Sequence, residues 1–381
     1  MTQSALIVGA GIGGLVTAIG LAEQGWQVTI LERAATLEPV GAGIILADNS
    51  MRAFNSLGLA DALIPHGRGA GLGGLRRADG RWMLRIPSRG SDRSLSLHRA
   101  TLISVLVAQL KPGCLRLGTA VENVEQNTDG VRAHLADGQT LDADLLVGAD
   151  GIRSRVRSHL FPQLASPRYA GFTAWRTVVA VPDVMPLPAE ATESWGRGAL
   201  FGIVPLGGRR VYLYATALQP AAEPDSSPDV GAKATLLRRF EGWHEPISAL
   251  IGLARDDGFL AHDVFCLAPP LRAYHRQRAV LLGDAAHAMT PNLGQGAAHA
   301  IEDAVRLCAL LREHPIEVAL PRYSAERAPR ANAIARNSAR IGRIAHQQNP
   351  AIVMARDAAI GLIGRLYSSN RLPANAPTAL T

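Results

Sequence analysis

The sequence predicts an α/β fold in which an antiparallel β-sheet is inserted between the pieces of a parallel, helix-covered sheet. Three observations predict it. The chain begins with a strand, a glycine turn, a helix and a second strand. Two later apolar strands end in an Asp-Gly pair at 150–151 and a Gly-Asp pair at 283–284. Between them, residues 170–270 show the two-residue alternation and the Pro/Gly-rich turns of antiparallel strands.

The first unit is the stretch ALIVGAGIGGLVTAIGLAEQGWQVTILERA. Ala5–Val8 reads as a short apolar strand, and a helix of apolar and small residues follows to about Gln24. Gly25 fits a helix stop, and Gln27–Leu31 reads as the second strand. The unit therefore predicts the β-α-β arrangement that binds dinucleotides.

The turn of this unit has the spacing of a dinucleotide-binding motif. Gly9 permits the sharp turn, Gly11 lets the backbone approach a pyrophosphate, and Gly14 allows close packing of strand and helix. The helix N-terminus offers free N–H groups to phosphate. Glu32, followed by Arg33, closes the second strand and can accept hydrogen bonds from a ribose diol. The motif does not distinguish NAD from FAD, because both carry an adenosine ribose, and a packing turn without a ligand is the alternative.

A second glycine run, GRGAGLGG at 67–74, lacks this context. No apolar strand precedes it and no clear helix follows it. We interpret it as a flexible connection.

Size and composition indicate a protein with a large hydrophobic core. The chain has 381 residues, 48% of them hydrophobic, which is enough for about two domains. Its cysteines, Cys114, Cys266 and Cys308, are far apart and form no CxxC pair. This argues against a disulfide framework or a thiolate metal site and suits a reducing cytoplasm. We expect a cytoplasmic protein with no metal.

The formal net charge of +7 comes from arginine, because only Lys111 and Lys233 are lysines among 39 basic residues. No basic block with interleaved aromatic residues is present, so we expect no nucleic-acid partner. Ala5–Ala22 is uncharged over 18 residues, but its glycines argue against a membrane span. The protein is expected to be a monomer or a homodimer, and the sequence does not choose between them.

Residues 170–270 contain the strands of the inserted sheet. AGFTAWRTVVAV, ESWGRGALFGIVPL and RRVYLYATAL read as strands, and Gly258–Cys266 reads as another. Two helices are expected around Ala232–Phe240 and Glu245–Leu253.

One of these strands carries candidate substrate contacts. The two-residue period puts Arg210, Tyr212 and Tyr214 on one face, while the apolar residues between them take the other. Such a face suits an anionic or hydrogen-bonding aromatic substrate, and a purely solvated face is the alternative. Trp175 and Arg176, on a neighbouring strand, are interpreted as structural.

Two further motifs follow apolar strands. In LLVGADGIRSRVR, Asp150-Gly151 ends a strand and Arg157 lies in the helix that follows. In RAVLLGDAAHAMTPNLGQGAAHAIEDAVRL, Gly283-Asp284 ends a strand, and a loop with Pro291, Gly294 and Gly296 opens a helix. An acid at a strand end can also bond a neighbouring backbone amide, which is the alternative for Asp150.

Together with the first glycine motif, these segments resemble the class A flavoprotein monooxygenases, the single-component aromatic hydroxylases similar to p-hydroxybenzoate and salicylate hydroxylases. The segment TPNLGQGAAHAIEDA is most similar to urate hydroxylase and zeaxanthin epoxidase-like members. The resemblance implies a Rossmann-like FAD-binding domain of the GR2 type, an inserted antiparallel β-sheet that binds substrate, and C-terminal helices. The expected FAD-binding domain comprises 1–72, 98–165 and 273–330; the substrate domain comprises 73–97 and 166–272; the helical segment comprises 331–381.

The resemblance also implies roles for individual residues. Asp284 is expected to bond the ribityl chain of FAD, Arg99 in LHRATL to meet the pyrophosphate, and the Gly41–Gly43 segment to run beside the flavin. The residues expected to bind FAD are Gly9, Gly11, Gly14, Glu32, Arg33, Gly43, Arg99, Asp150, Arg157, Gly283, Asp284, Gly294, Gln295 and Gly296.

The loop from Pro291 to Gly296 is expected to pass along the flavin edge. Reduced flavin carries negative charge near N1 and O2, and backbone N–H groups at a helix start stabilise that charge without a side chain. Pro291, Gly294 and Gly296 are therefore candidate catalytic positions. We interpret His287 as structural, and Glu302 and Asp303 as serving helix packing and the surface.

The implied function is FAD-dependent hydroxylation of a small aromatic or heteroaromatic substrate by NADH or NADPH and O₂, through a C4a-hydroperoxyflavin. FAD, the nicotinamide cofactor and O₂ are the expected cofactors and co-substrates. Alternatives are a dehydrogenase or reductase of the same fold, epoxidation of an alkene, or a flavin-binding protein without turnover.

Overall fold

The computed structural model describes residues 2–37, 42–86, 94–164, 166–221 and 231–368. The strands of these residues are, in chain order, β1 (Ser4–Val8), β2 (Gln27–Leu31), β3 (Gly43–Leu46), β4 (Arg68–Gly69), β5 (Leu72–Arg77), β6 (Trp82–Arg85), β7 (Leu95–His98), β8 (Leu115–Arg116), β9 (Val121–Gln126), β10 (Val131–Leu135), β11 (Thr140–Ala143), β12 (Leu145–Gly148), β13 (Arg168–Ala180), β14 (Ala191–Trp195), β15 (Ala199–Leu206), β16 (Arg210–Leu218), β17 (Leu260–Cys266), β18 (His275–Arg276) and β19 (Ala279–Leu281).

The helices of the same residues are α1 (Ile12–Glu23), α2 (Asp48–Ser56), α3 (Ala60–Leu63), α4 (Arg99–Ala108), α5 (Arg155–Leu160), α6 (Ala232–Arg239), α7 (Ile247–Leu253), α8 (Asp284–His287), α9 (Gly296–Glu313), α10 (Ile316–Ala345) and α11 (Pro350–Ser368). Single 3-10 turns cover Ile64–His66 and Pro291–Leu293.

The nucleotide-binding half is built on a six-stranded sheet with the order β18-β19-β12-β1-β2-β8. Its strands are parallel except for the edge strand β18. Ile7 of β1 lies in register between Val147 of β12 and Ile30 of β2, and all three are fully buried. Such strands are covered on both faces and so consist of continuous apolar residues rather than alternating ones.

Helix α1 is buried along Ile12–Leu21, between the sheet and α9. A Cβ on Gly20 would lie 2.8 Å from Cys308 Sγ of α9, so the two helices pack closely there. This burial explains why the first 18-residue stretch carries no charge. No helix in the described ranges is long and apolar enough to cross a membrane.

A seven-stranded sheet, with the order β17-β13-β16-β15-β14-β5-β6, forms the other half. It is antiparallel except for the parallel pair β14–β5. On β16, Val211, Leu213 and Ala215 are fully buried in a core shared with α6 and α7. The strands and helices predicted for residues 170–270 are present with ends shifted by a few residues, except that ESWGRGALFGIVPL, predicted as one strand, forms the two antiparallel strands β14 and β15.

The prediction of a flexible connection at 67–74 was wrong. These residues form β4 and the first part of β5, and Gly69 pairs with Leu95 while Gly74 pairs with Arg85. The partners are distant in sequence, and glycine carries no side chain whose alternation could indicate a strand. A three-stranded sheet of β9, β10 and β11 lies outside the sequence prediction as well.

The C-terminal helices close one side of the molecule. Helix α10 buries Ile316, Leu320 and Tyr323 against the nucleotide-binding half, although it contains two prolines. Helix α11 packs on β6, where a Cβ on Gly364 would lie 2.4 Å from the carbonyl oxygen of Met83.

Candidate active site

Three strand ends meet at one edge of the parallel sheet. The Ala149 N–H donates to the Val8 carbonyl at 2.8 Å, and the Leu282 N–H donates to the Gly148 carbonyl at 3.1 Å. The Gly9 N–H donates to the Leu31 carbonyl at 2.8 Å. The chain thus leaves the sheet at neighbouring points after β1, β12 and β19, where ligands bind in folds of this kind.

A cavity of about 550 Å³ opens at this edge and continues to the inner face of the seven-stranded sheet. From the nucleotide-binding half it is lined by Gly11, Ile12, Gly13, Gly43, Arg99, Ala149, Gly151, Gly283, Asp284, Pro291, Gly294 and Gly296, among others. From the seven-stranded sheet it is lined by Ala174, Arg176, Ala191, Glu193, Trp195, Leu200, Val204, Tyr212, Tyr214 and Thr216.

The glycines of the first motif divide into packing and open positions. A Cβ on Gly14 would lie 2.1 Å from the Gly9 carbonyl oxygen, and one on Gly9 would lie 2.4 Å from that of Ala149. A Cβ on Gly11 would meet no atom within 4 Å, and Gly11 lines the cavity. Gly9 and Gly14 therefore allow close packing, while Gly11 exposes the start of α1 to the cavity.

Glu32 holds the same turn. Its carboxylate accepts from the Ala10 N–H at 2.8 Å and from the Ala34 N–H at 2.9 Å. Neither Glu32 nor the exposed Arg33 is among the described residues that line the cavity. Contact of either residue with an adenosine ribose stays a prediction.

The Asp150 carboxylate caps helix α5. It accepts from the N–H groups of Arg155 at 2.8 Å and Val156 at 3.1 Å, and from the Ser154 hydroxyl at 2.5 Å. Burial raises the pKa of Asp150, and these hydrogen bonds oppose the increase. The alternative stated for Asp150, a strand-end acid bonded to backbone amides, describes its side chain, while the neighbouring Gly151 lines the cavity.

Arg157 occupies the packing between α5 and α8. Its Nη1 donates to the Ala285 carbonyl at 2.9 Å and its Nη2 to the Ile152 carbonyl at 2.5 Å. Burial lowers the pKa of the guanidinium, and Asp150 partly offsets the effect. The side chain is directed to these backbone carbonyls, and Arg157 is not among the described residues that line the cavity, so its contact with the cofactor stays a prediction.

We expect Arg157→Met to lower the free energy of unfolding by about 2 kcal/mol, because two buried carbonyl groups lose their donors. Chemical denaturation with added FAD and without it measures the change. The FAD affinity of the folded variant should stay within about twofold of wild type. A large loss of FAD affinity with unchanged stability would instead support a direct contact between Arg157 and the cofactor.

Arg99 and Asp284 both line the cavity, and both residues are exposed. Arg99 begins α4, its N–H donates to the Ala42 carbonyl at 2.9 Å, and His98 caps the helix by accepting from Ala100 N–H at 3.2 Å. Burial lowers the pKa of Arg99, and the charge of Asp284 offsets part of this. One cation and one carboxylate are therefore available to an anionic ligand that also carries hydroxyl groups.

Gly43 brings β3 against the seven-stranded sheet. A Cβ on it would lie 2.5 Å from Cβ and Cγ of Tyr212, so the approach excludes any larger residue. Gly41, the other glycine of the expected segment, lies outside the described residues.

The loop before α9 is hydrogen-bonded to α10 and also lines the cavity. The Thr290 hydroxyl donates to Ser338 Oγ at 3.0 Å, which fixes the loop to α10. Gly294 has φ +64° and a Cβ there would meet no atom within 4 Å, while a Cβ on Gly296 would meet only Asp284 Oδ1 at 4.0 Å. The first N–H groups of α9 thus face the cavity. Gln295 is buried and accepts weakly from Asn49 Nδ2 at 3.4 Å.

A charged network lies beneath this loop. Asp303 accepts from the Gly283 N–H at 3.0 Å and from Arg327 Nε at 2.6 Å, and its Oδ2 lies 2.5 Å from His287 Nε2. Glu302 accepts from Arg327 Nη1 at 2.9 Å. His287 is structural, as predicted. Asp303 joins helices, as predicted, but its predicted place at the surface was wrong, because it is fully buried and links α8, α9 and α10.

Burial alone would raise the pKa of Asp303, but the charges of His287 and Arg327 and their hydrogen bonds hold that pKa well below its usual range. The carboxylate therefore stays ionised and fixes the Gly283 N–H, one residue before the cavity-facing Asp284.

A row of polar side chains crosses the cavity face of the seven-stranded sheet. Glu193 of β14 is opposite Gly202 of β15, Gly202 is opposite Tyr214 of β16, and Tyr214 is opposite Arg176 of β13. The Tyr214 hydroxyl donates to Glu193 Oε2 at 2.6 Å. A Cβ on Gly202 would lie 1.9 Å from Tyr214 Cζ, so the missing side chain gives the ring its path to Glu193.

Two placements on this face differ from expectation. Tyr212 and Tyr214 line the cavity, but Arg210 is exposed at the start of β16, where its Nε donates to the Gly207 carbonyl at 3.2 Å. Arg176, interpreted as structural, lines the cavity instead. Glu193 was not predicted, although an acid inside the strand segment ATESW of the inserted sheet was the signal that could have revealed it.

Burial shifts the titration of this row. It raises the pKa of Glu193, against the hydrogen bonds from Trp195 and Tyr214. It also raises the pKa of Tyr214 well above the usual value, to which the charge of Glu193 adds. The Tyr214 hydroxyl consequently keeps its proton and acts as a hydrogen-bond donor. Glu193, which lines the cavity, is a weaker acid than an exposed glutamate.

The residues of the cavity fit FAD. The starts of two helices, α1 and α9, face it through glycine backbone that carries no side chain, and Arg99 supplies a cation. Helix N-termini and a guanidinium are the groups that proteins use to hold a pyrophosphate.

Comparisons with known proteins agree with this geometry. The profile of a family described as "FAD binding domain" matches residues 2–338. The chain is 40% identical to "Aurachin C monooxygenase/isomerase" of Stigmatella aurantiaca, over 97% of this chain and 95% of that protein. It is 36% identical to "2-heptyl-3-hydroxy-4(1H)-quinolone synthase" of Pseudomonas aeruginosa, over 95% and 94%. The crystal structure of Klebsiella pneumoniae HpxO with FAD and uric acid superposes with a TM-score of 0.86 at 26% identity, covering 94% of this chain and 93% of that one.

Proposed function

Because the chain belongs to the FAD-binding family and is an FAD-dependent monooxygenase that uses NAD(P)H and O₂, we propose that its substrate is a heteroaromatic ring of the quinolone kind with an apolar side chain. Bound FAD supplies the redox chemistry, taking hydride from NADH or NADPH and activating O₂ for insertion into the ring. The protein positions the flavin ring and the substrate ring and excludes water from the cavity.

The observation that carries this proposal is the continuity of the cavity. The same space joins the loop at Gly294 and Gly296 to the sheet face at Tyr212 and Tyr214. A flavin along the loop and an aromatic ring on the sheet would therefore face each other. The similarity to the Pseudomonas aeruginosa 2-heptyl-3-hydroxy-4(1H)-quinolone synthase supports a substrate with an alkyl chain.

The walls suit such a molecule. Leu75, Ile86, Leu200 and Ile341 supply apolar surface, which favours burial of an alkyl chain by about 0.8 kcal/mol per CH₂ group. The charged groups of the described lining are those of the row on the sheet together with Arg99 and Asp284, and its other polar side chains are Tyr212, Thr192, Thr216, Thr290 and Asn292. A long apolar wall with few polar groups is typical of sites for small apolar ligands.

We further propose that the sequence-derived FAD residues that line the cavity contact the cofactor directly: Gly11, Gly43, Arg99, Gly283, Asp284, Gly294 and Gly296. Gly9, Gly14, Glu32, Asp150 and Arg157 shape the walls that hold them. The domain limits, the monomeric or dimeric state and the cytoplasmic location inferred from the sequence remain proposals; the three cysteines are unpaired, in keeping with a reducing compartment.

Turnover with 2-heptyl-4(1H)-quinolone tests the substrate class. The purified protein should consume NADH or NADPH faster in its presence and form a product heavier by one oxygen atom, with label from ¹⁸O₂. Urate and salicylate serve as comparison substrates and should give no faster turnover than the quinolone. Cofactor consumption that yields only peroxide with the quinolone, together with an oxygenated product from urate, would reject the quinolone class.

A further inference from the structure

Glu193 places a carboxyl group in the substrate half of the cavity. It lies in β14 between the cavity residues Thr192 and Trp195 and lines the same cavity as the loop at Gly294 and Gly296. A carboxylate in a largely apolar wall is energetically costly unless donors satisfy it. Packing alone therefore does not explain a carboxyl group at this position.

Its partners fix the carboxyl group without neutralising it. Tyr214 OH donates to Oε2 at 2.6 Å, and Trp195 Nε1 donates to Oε1. A carboxylate has about four acceptor positions, so each oxygen keeps one for a ligand. Within the described residues, no cation forms an ion pair with Glu193. Asp303 differs, because Arg327 and His287 balance its charge.

We propose that Glu193 is the catalytic base of this enzyme, binding the ring N–H or O–H of the heteroaromatic substrate and accepting its proton; this rests on the proposed function. The N–H or O–H bond breaks, an O–H bond forms on Glu193, and the electron pair stays on the substrate. The resulting anion is richer in electrons at the ring carbon that takes up oxygen. The proton returns to solvent or to the product after oxygen transfer.

Tyr214 and Gly202 act through Glu193. The Tyr214 hydroxyl stabilises the ionised carboxyl, and Gly202 leaves room for that ring. Tyr214 is a positioning residue under this proposal. Arg176, at the other end of the row, offers a cation to the side of the ring away from Glu193.

Other ionisable groups lie around Glu193. Tyr212 and Tyr214 have pKa values raised by burial and stay protonated. Arg356 lies over Trp195 and is paired with Asp357, 2.7 Å away. His346 bonds Thr216 at 2.8 Å, and burial lowers its pKa. Of these ionisable groups, Tyr214 alone donates to the carboxyl group of Glu193.

Variants of Glu193 and Tyr214 in the FAD-loaded enzyme test the proposal. Glu193→Gln should lower kcat/KM for 2-heptyl-4(1H)-quinolone by about 10²-fold, while FAD content and the rate of flavin reduction without substrate stay unchanged. In wild type, kcat/KM should rise with pH as Glu193 loses its proton, around a pKa that burial has raised. This rising limb of the pH profile should be absent in Glu193→Gln.

Glu193→Asp should restore part of the rate. Tyr214→Phe should move the limb to higher pH, because the carboxylate loses a donor. Glu190→Gln, a neighbouring acid outside the described cavity lining, is the matched control and should leave all values unchanged.

Binding without turnover separates this inference from the proposed substrate class. Wild type should bind 2-heptyl-4(1H)-quinolone about tenfold more tightly than its N-methyl analogue, and Glu193→Gln should lose that preference. If wild type forms no oxygenated product but shows this pattern, the proposed substrate class fails, and only the binding of the ring N–H by Glu193 is supported. If Glu193→Gln keeps the wild-type kcat/KM and its pH limb, the role of Glu193 is rejected while oxygenation stands.

Discussion

Asp303→Ala is expected to lower the free energy of unfolding by about 3–5 kcal/mol, the cost of removing one partner from a buried ion pair. The variant leaves Arg327 with a buried charge and removes the acceptor of the Gly283 N–H. Asp303 is fully buried, so water cannot replace it. Urea unfolding of the FAD-free protein measures the change.

The loss should depend on pH in a definite direction. The pKa of Asp303 is held below its unfolded value, so its stabilisation is fully present above about pH 4 and declines as the pH falls through the folded pKa. The difference between wild type and Asp303→Ala should therefore be largest near neutral pH and shrink in acid. A difference that grows as the pH falls would contradict this assignment.

The matched control is Glu326→Ala. Glu326 also joins α10 to α9, through Arg306 at 2.5 Å, but this pair is exposed. Exposed pairs contribute at most about 1 kcal/mol. If both variants lose equal stability, burial does not set the strength of the Asp303 network.

Gly296→Val is expected to weaken FAD binding by at least about tenfold, equivalent to about 1.4 kcal/mol. The position begins α9, and a Cβ there would meet only Asp284 Oδ1 at 4.0 Å, so the valine would project into the cavity. It would occupy the path proposed for the flavin edge and keep the N–H groups of α9 away from it. FAD titration of the FAD-free protein, followed by flavin reduction with NADH and NADPH, measures both effects.

Gly361→Val serves as its control. Gly361 is also a helical glycine with no atom near a Cβ, but it lies in α11 outside the described cavity lining. It should bind FAD as wild type does. Wild-type affinity and reduction in Gly296→Val would reject the flavin-edge role of this loop.

Most elements could be predicted from the sequence because their signals are local. The glycine spacing at 9, 11 and 14 requires a tight turn between strand and helix, and β2 begins and ends at the predicted residues Gln27 and Leu31. The alternation on β16 placed Tyr212 and Tyr214 on one face, and both line the cavity. The FAD-binding monooxygenase class, expected from the resemblance, is confirmed by the family match and the relatives.

Long-range pairing decided the features that were missed. Residues 67–74 became strands only because Leu95 and Arg85 lie beside them. Arg210 shares a face with the two tyrosines but stands at the strand end, so the cavity does not reach it. A period of two specifies the face of a strand and leaves open how far along it a cavity extends.

The sequence by itself determined the β-α-β unit and the inserted sheet, since each depends on residue types at short, fixed spacings, while the class of chemistry followed from the resemblance to a known family. Tertiary structure alone decided which acid is held in a buried ionic network and which one lines the cavity. Asp303 and Glu193 are both acids within regular elements, but only the first meets cations from other helices. That difference arises from packing between segments far apart in sequence, which no local pattern encodes.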